Sequence, residues 1–116
     1  MQPESRKLLQ DMSEAAGDIT AMTQSKSVDN YLASKELRWA VERGFEIIGE
    51  ALSQLSKLDP DTAHCITEYR KIISFRNVLI HGYSHINDMR TWDIVQQDLP
   101  VLRRELAQLL SDSNSE

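Results

Sequence analysis

The sequence predicts an all-α fold, an antiparallel bundle of four to five helices. Apolar residues recur at intervals of three and four along most of the chain, and no segment shows the period of two expected of a strand. The chain holds 4 glycines and 3 prolines among 116 residues, too few for the frequent turns of an all-β protein. Short connections between the periodic segments favour antiparallel neighbours.

The first half of the chain predicts a long helix, a short one and a second long one. The first runs from about residue 4 to 23, and a short helical segment follows at 28–33. The third, about 34–58, has an apolar stripe wide enough to be contacted from two sides. Gly44 and Gly49 lie inside it, where each costs about 1 kcal/mol relative to alanine. We therefore expect neighbouring helices to approach closely at these two glycines.

The second half predicts two further helices. Asp59 followed by Pro60 reads as an N-cap and a first helical residue, and the helix continues to His81 with Gly82 as its stop. The last helix begins near residue 87 or 88 and ends near residue 110, with a kink at Pro100.

Composition places limits on the architecture and on the class of partner. We expect one helical domain over residues 1–110 and a polar tail, 111–116, that frays. No apolar run is long enough to span a membrane, and the first residues lack the apolar core of a signal peptide, so a cytoplasmic protein is expected. A net charge of −5 argues against a protein that binds nucleic acid non-specifically through overall positive charge.

A stretch without acidic residues, 69–87, concentrates positive charge in this acidic chain. It contains five basic or imidazole side chains: Arg70, Lys71, Arg76, His81 and His85. Arg76 falls on the apolar stripe of its helix, where burial is costly unless the guanidinium is paired or faces a shared cleft. Two readings follow from these residues alone: a structural Arg paired with a carboxylate beside a His that caps the helix, or a site that binds anions.

Three segments resemble the HEPN superfamily and, within it, the HepT-like toxins. Residues 76–83, RNVLIHGY, carry the pattern R-x-x-x-x-H-x-Y. Residues 43–52, RGFEIIGEAL, resemble the central helix of the family, and 92–106, WDIVQQDLPVLRREL, resemble its last helix. The three occur in the family's order and, together, the resemblance covers most of the chain.

The resemblance implies a metal-independent ribonuclease that needs no cofactor and is built as a homodimer. RNA carries its own nucleophile, the 2′-OH, so the protein must supply proton transfer and stabilisation of the phosphorane charge. The matching residues assign these catalytic roles to His81 and Arg76, with Asn77 in support. One such histidine per chain fits a site completed by a second copy across a two-fold axis.

The resemblance also implies partners, namely RNA, either messenger or transfer RNA, and a minimal nucleotidyltransferase antitoxin of the MntA type. In that toxin–antitoxin pair the enzyme transfers AMP to the motif tyrosine, which here is Tyr83. Its added negative charge would occupy the anion site that RNA needs. The alternative is a non-catalytic HEPN module that binds a nucleotide or RNA and docks a nucleotidyltransferase.

The other polar residues have a structural and a functional interpretation. Glu46 and Glu50 either pair on the helix surface or brace Arg76, while Arg70, Lys71 and His85 are possible substrate contacts. No set of His, Cys, Asp and Glu has the spacing of a metal site, and none is expected. Both tryptophans, at 39 and 92, are expected to pack in the bundle.

Overall fold

The residues that the computed structural model describes, 1–82 and 86–114, form helices and contain no strand, which confirms the predicted fold class. In chain order the helices are α1 (Pro3–Thr23), α2 (Val28–Ala33), α3 (Lys35–Leu58), α4 (Pro60–Ala63), α5 (Tyr69–His81), α6 (Asp88–Asp93) and α7 (Leu99–Asn114). A π-helical turn, Ile94–Asp98, joins α6 to α7.

Helix α3 lies at the centre of the bundle, with α1 on one side and α5 on the other, and α7 packs against α1. The centre of its predicted apolar stripe is buried at Val41, Phe45, Ile48, Leu52 and Leu55, whereas Trp39 and Ile47 at its margins are exposed. Both glycines of α3 face a neighbour as expected. A Cβ built on Gly44 would stand 2.6 Å from Ile19 Cγ1 of α1, and one on Gly49 would meet α5.

The single helix predicted over 60–81 is wrong, because the chain breaks between α4 and α5. Glu68 has a φ of 57°, in the left-handed region, and cannot continue a right-handed helix. The Thr67 backbone N–H and hydroxyl donate to the Glu105 carboxylate, at 3.0 and 2.6 Å, instead of to a helical partner. A contact with α7, far away in sequence, thus holds the non-helical segment directly before α5.

The last predicted helix is present, with a π-helical turn directly before Pro100. Proline has no N–H and its ring clashes with the carbonyl four residues earlier. The Leu99 N–H bonds to the carbonyl of Ile94, five residues back, so the widened turn absorbs the irregularity that was predicted as a kink. Helix α7 continues past residue 110 to Asn114.

The predicted N-cap at Asp59 is formed. Its carboxylate accepts hydrogen bonds from the Thr62 hydroxyl and backbone N–H, at 2.7 and 3.3 Å, and from the Ser5 hydroxyl of α1 at 3.0 Å. The bond from the Thr62 side chain, with those from Ser5 and the backbone, holds the pKa of Asp59 below its ordinary value. In the described part of the chain, no helix combines the length and apolarity needed to cross a bilayer.

Candidate functional site

Arg76 lies where α5 packs against α3, and its aliphatic stem rests on the backbone of Gly49. A Cβ at position 49 would stand 2.2 Å from Arg76 Cβ and 2.7 Å from its Cγ. Glycine therefore lets the stem of Arg76 reach the surface of α3. The Arg76 side chain is 24% exposed, which agrees with its place on the apolar stripe of α5.

The guanidinium of Arg76 is held by two neighbouring side chains. Its Nη2 forms an ion pair with Glu50 of α3, and its Nη1 donates to Asn77 Oδ1 at 2.9 Å. Its Nε is buried and has no hydrogen-bond partner among the described residues. Gln54 Nε2 donates to the other Glu50 oxygen at 3.2 Å, so Glu50 is itself oriented from both sides.

The two glutamates of α3 take different partners. Glu46 pairs with Arg43 on its own helix, at 3.2 Å between Oε2 and Nη1, whereas Glu50 pairs with Arg76 across the helix interface. Sequence reasoning left both open as braces and did not name Gln54. Gln54 lies four residues after Glu50, one helical turn away, and this spacing indicates that it can support Glu50.

His81 is the last residue of α5 and is exposed. It does not cap the helix, because the Gly82 N–H makes the closing bond to the Val78 carbonyl at 2.8 Å. With the described residues, its imidazole makes no hydrogen bond. Five residues of α-helix separate His81 from Arg76, about 140° of rotation and about 7.5 Å of rise. The helix therefore directs the two side chains to different sides, with Asn77 one turn before His81.

The remaining predicted site residues do not gather around Arg76. The Arg70 guanidinium lies over the Tyr69 ring, 5.0 Å from its centroid, and Lys71 Nζ pairs with Glu68 at 2.9 Å. Lys71 lines a separate apolar groove of about 290 Å³ on the side of α5 that carries Phe75. Two predicted residues, Tyr83 and His85, lie outside the described residues.

The site has an acidic side. A groove between α1 and α3 carries five carboxylates, those of Asp11, Glu14, Asp18, Glu46 and Glu50, beside Arg43. Negative potential there repels a phosphate backbone. A polyanion bound at Arg76 is therefore expected to follow α5 rather than α1.

Apolar side chains are exposed on the helices that carry the Glu50–Arg76 pair. Trp39 is 64% exposed, so its predicted packing in the bundle is wrong, whereas Trp92 is buried against Tyr31 as expected. The spacing of four, three and four residues places Trp39, Arg43, Glu46 and Glu50 on one stripe of α3. Ile80, 39% exposed, follows Arg76 by one turn of α5.

This arrangement provides a fixed cation and, five residues later on the same helix, an exposed imidazole. A planar guanidinium binds phosphate oxygens and developing negative charge, and an imidazole exchanges protons near neutral pH. Within residues 1–82 and 86–114, no three His, Cys, Asp or Glu side chains are grouped so that they could hold a metal ion.

The amino-acid sequence of the chain was also compared with those of known proteins. The profile of the family described as "Ribonuclease HepT-like" matches residues 12–109. A relative from Methanocaldococcus jannaschii named "Putative RNase MJ1380" is 31% identical over 101 residues, 87% of this chain and 92% of its own. Another, "Probable ribonuclease HepT" of Thermococcus cleftensis, is 31% identical over 101 residues, 87% of this chain and 91% of its own. No solved structure matches.

Proposed function

Because the chain belongs to the HepT-like ribonuclease family, we propose that it is a metal-independent endoribonuclease that acts as the toxin of a toxin–antitoxin pair. The family membership and the names of its relatives support the ribonuclease activity. The observation that carries the catalytic assignment is the half-buried Arg76, oriented by Glu50 and Asn77, in the same motif as the exposed His81.

In the proposed reaction the RNA 2′-oxygen attacks the adjacent phosphorus and the bond to the 5′-oxygen breaks. One base takes the 2′ proton and one acid protonates the leaving 5′-oxygen, so the products are a 2′,3′-cyclic phosphate and a 5′-hydroxyl. His81 serves in proton transfer, a role that contributes about 10²–10⁴-fold. Arg76 stabilises the negative charge that develops on the phosphorane oxygens.

Two proton transfers and one motif histidine per chain favour a homodimer. The rotation of about 140° between Arg76 and His81 makes it difficult for one helix to place both on the same phosphate. A two-fold axis beside α5 would set the Arg76 of one copy and the His81 of the other against one cleft. The exposed Trp39 and Ile80, on the helices that carry the Glu50–Arg76 pair, provide apolar surface for that contact.

RNA incubated with the purified protein in excess chelator is expected to be cut and to carry 2′,3′-cyclic phosphate ends. The chemistry needs an acid, a base and a cation but no metal-bound water. The 3′ ends are analysed by phosphatase sensitivity and mass spectrometry, with a parallel reaction in Mg²⁺. Cleavage that appears only with the divalent metal contradicts the mechanism. RNA that is bound but never cut supports the non-catalytic binding module instead.

The off-switch proposed for this toxin is transfer of AMP to Tyr83 by a nucleotidyltransferase antitoxin. The phenol oxygen attacks the α-phosphorus of ATP, pyrophosphate leaves and the phenolic proton is released. Tyr83 follows His81 by two residues, so the new phosphodiester would add negative charge and bulk to the motif itself. Arg76 would then bind the phosphate of the attached AMP instead of the scissile phosphate of RNA.

The Tyr83→Phe variant is expected to keep most of its RNA cleavage and to escape silencing by the antitoxin with ATP. Phenylalanine keeps the aromatic ring but offers no oxygen to accept AMP. Activity after incubation and the mass of the peptide containing position 83 are measured, and Tyr69→Phe, which removes a tyrosine hydroxyl outside the motif, provides the control. The assignment is wrong if the antitoxin silences Tyr83→Phe as completely as the parent and the parent's peptide containing position 83 carries no AMP.

A further inference from the structure

Gly49 faces the rigid part of the Arg76 side chain. Non-bonded carbon atoms pack at about 3.5–4.0 Å. A methyl group at position 49 would stand 2.2 Å from Arg76 Cβ and 2.7 Å from Cγ, with the Ile72 carbonyl oxygen at 3.5 Å. Cβ is fixed to the backbone of α5, so no change of rotamer relieves this overlap. Any side chain at position 49 must therefore push α5 away from α3 at Arg76.

We propose that Gly49 is a positioning residue for the ribonuclease site, because the missing Cβ sets where Arg76 emerges from the bundle. This inference rests on the proposed function. Glu50, the residue after Gly49, pairs with Nη2 of the guanidinium. Asn77 Oδ1 accepts a hydrogen bond from its Nη1. The contact with Glu50 crosses the interface between α5 and α3, so it depends on how closely the Arg76 stem lies on α3. The buried, unpartnered Nε of Arg76 shows that the stem is enclosed up to its branch point.

Gly44 of the same helix provides a matched control. A Cβ there would meet Ile19 Cγ1 at 2.6 Å and Cδ1 at 2.7 Å, on the opposite interface with α1. Both atoms belong to Ile19 of α1, so the strain from a side chain at position 44 falls on the α1 interface and not on α5. Alanine has a higher helix propensity than glycine, so both substitutions gain the same benefit from this effect. Only the change at position 49 touches Arg76.

The experiment compares Gly49→Ala with Gly44→Ala in two measurements on folded protein. RNA cleavage by Gly49→Ala is expected to fall about 10²-fold, because a misplacement of about 1 Å can cost that much. Gly44→Ala is expected to cleave like the parent. The second measurement is hydrogen exchange of the Arg76 Nε–H by NMR, identified through its loss in Arg76→Lys. We expect slow exchange in the parent and in Gly44→Ala, and fast exchange in Gly49→Ala.

The two measurements separate failure of this inference from failure of the proposed function. A parent protein that cuts no RNA contradicts the ribonuclease proposal, while the exchange of the Nε–H still tests the position of Arg76. If Gly49→Ala keeps that proton protected, or cleaves RNA as fast as Gly44→Ala, the inference is overturned.

If Gly49→Ala does not fold, Gly49→Ala combined with Arg76→Gly provides the decisive variant. Removing the Cβ at position 76 removes the overlap, so the double variant is expected to fold. A double variant that remains unfolded shows that Gly49 is needed for another contact, and it overturns the inference as well.

Discussion

His81→Ala is expected to lower the rate of RNA cleavage by about 10²–10⁴-fold, the range attributed to a positioned general acid or base. Because His81 is exposed and bonds with none of the described residues, its removal should leave the fold intact. Binding of RNA should weaken less than in Arg76→Ala, which loses the cation that meets the phosphate. Single-turnover cleavage and equilibrium RNA binding separate the two effects.

His64→Ala is the matched control for this prediction. His64 is also exposed but lies after α4, outside the motif, where its ring packs near Tyr69. It should cleave like the parent. If His81→Ala and His64→Ala retain equal cleavage rates, His81 takes no part in proton transfer, and the catalytic assignment must be abandoned.

Trp39→Glu is expected to convert a dimeric parent into a folded monomer and to lower cleavage by at least about 10²-fold, because each site would lose the partner's contribution to proton transfer. Trp39 is 64% exposed, so the change should cost a single chain little. Exposed tryptophans at the centre of an interface often carry much of its binding energy. Light scattering at micromolar concentration gives the mass, and activity should return as the protein concentration rises.

Leu58→Glu tests whether any loss of exposed apolar surface has the same effect. Leu58 ends the same helix and is 45% exposed. We expect this variant to remain dimeric and active. Two results would count against the dimer proposal: a parent that is monomeric at micromolar concentration, or a monomeric Trp39→Glu that cleaves RNA at the parental rate.

Local patterns were sufficient for the fold class and for the motif. The period of three to four residues describes one helix at a time, and it placed Arg76 on an apolar stripe before any neighbour was known. The same pattern could not show the break before Tyr69. The contact that holds the Thr67 backbone comes from Glu105, 38 residues away. Periodicity also assigned Trp39 to the core, because an exposed apolar residue looks the same in sequence as a buried one.

Helical periodicity and composition were enough to predict an all-α bundle, a central helix contacted on two sides and an arginine that needs a partner. The packing of α5 on α3 shows that the partner is Glu50 rather than Glu46, and that Gly49 lies under the arginine stem. Glu50 and Arg76 are 26 residues apart. Helical periodicity specifies which face of α3 meets α5 but not how far one helix slides along the other. Side-chain packing between the helices sets that offset, and the offset selects the glutamate.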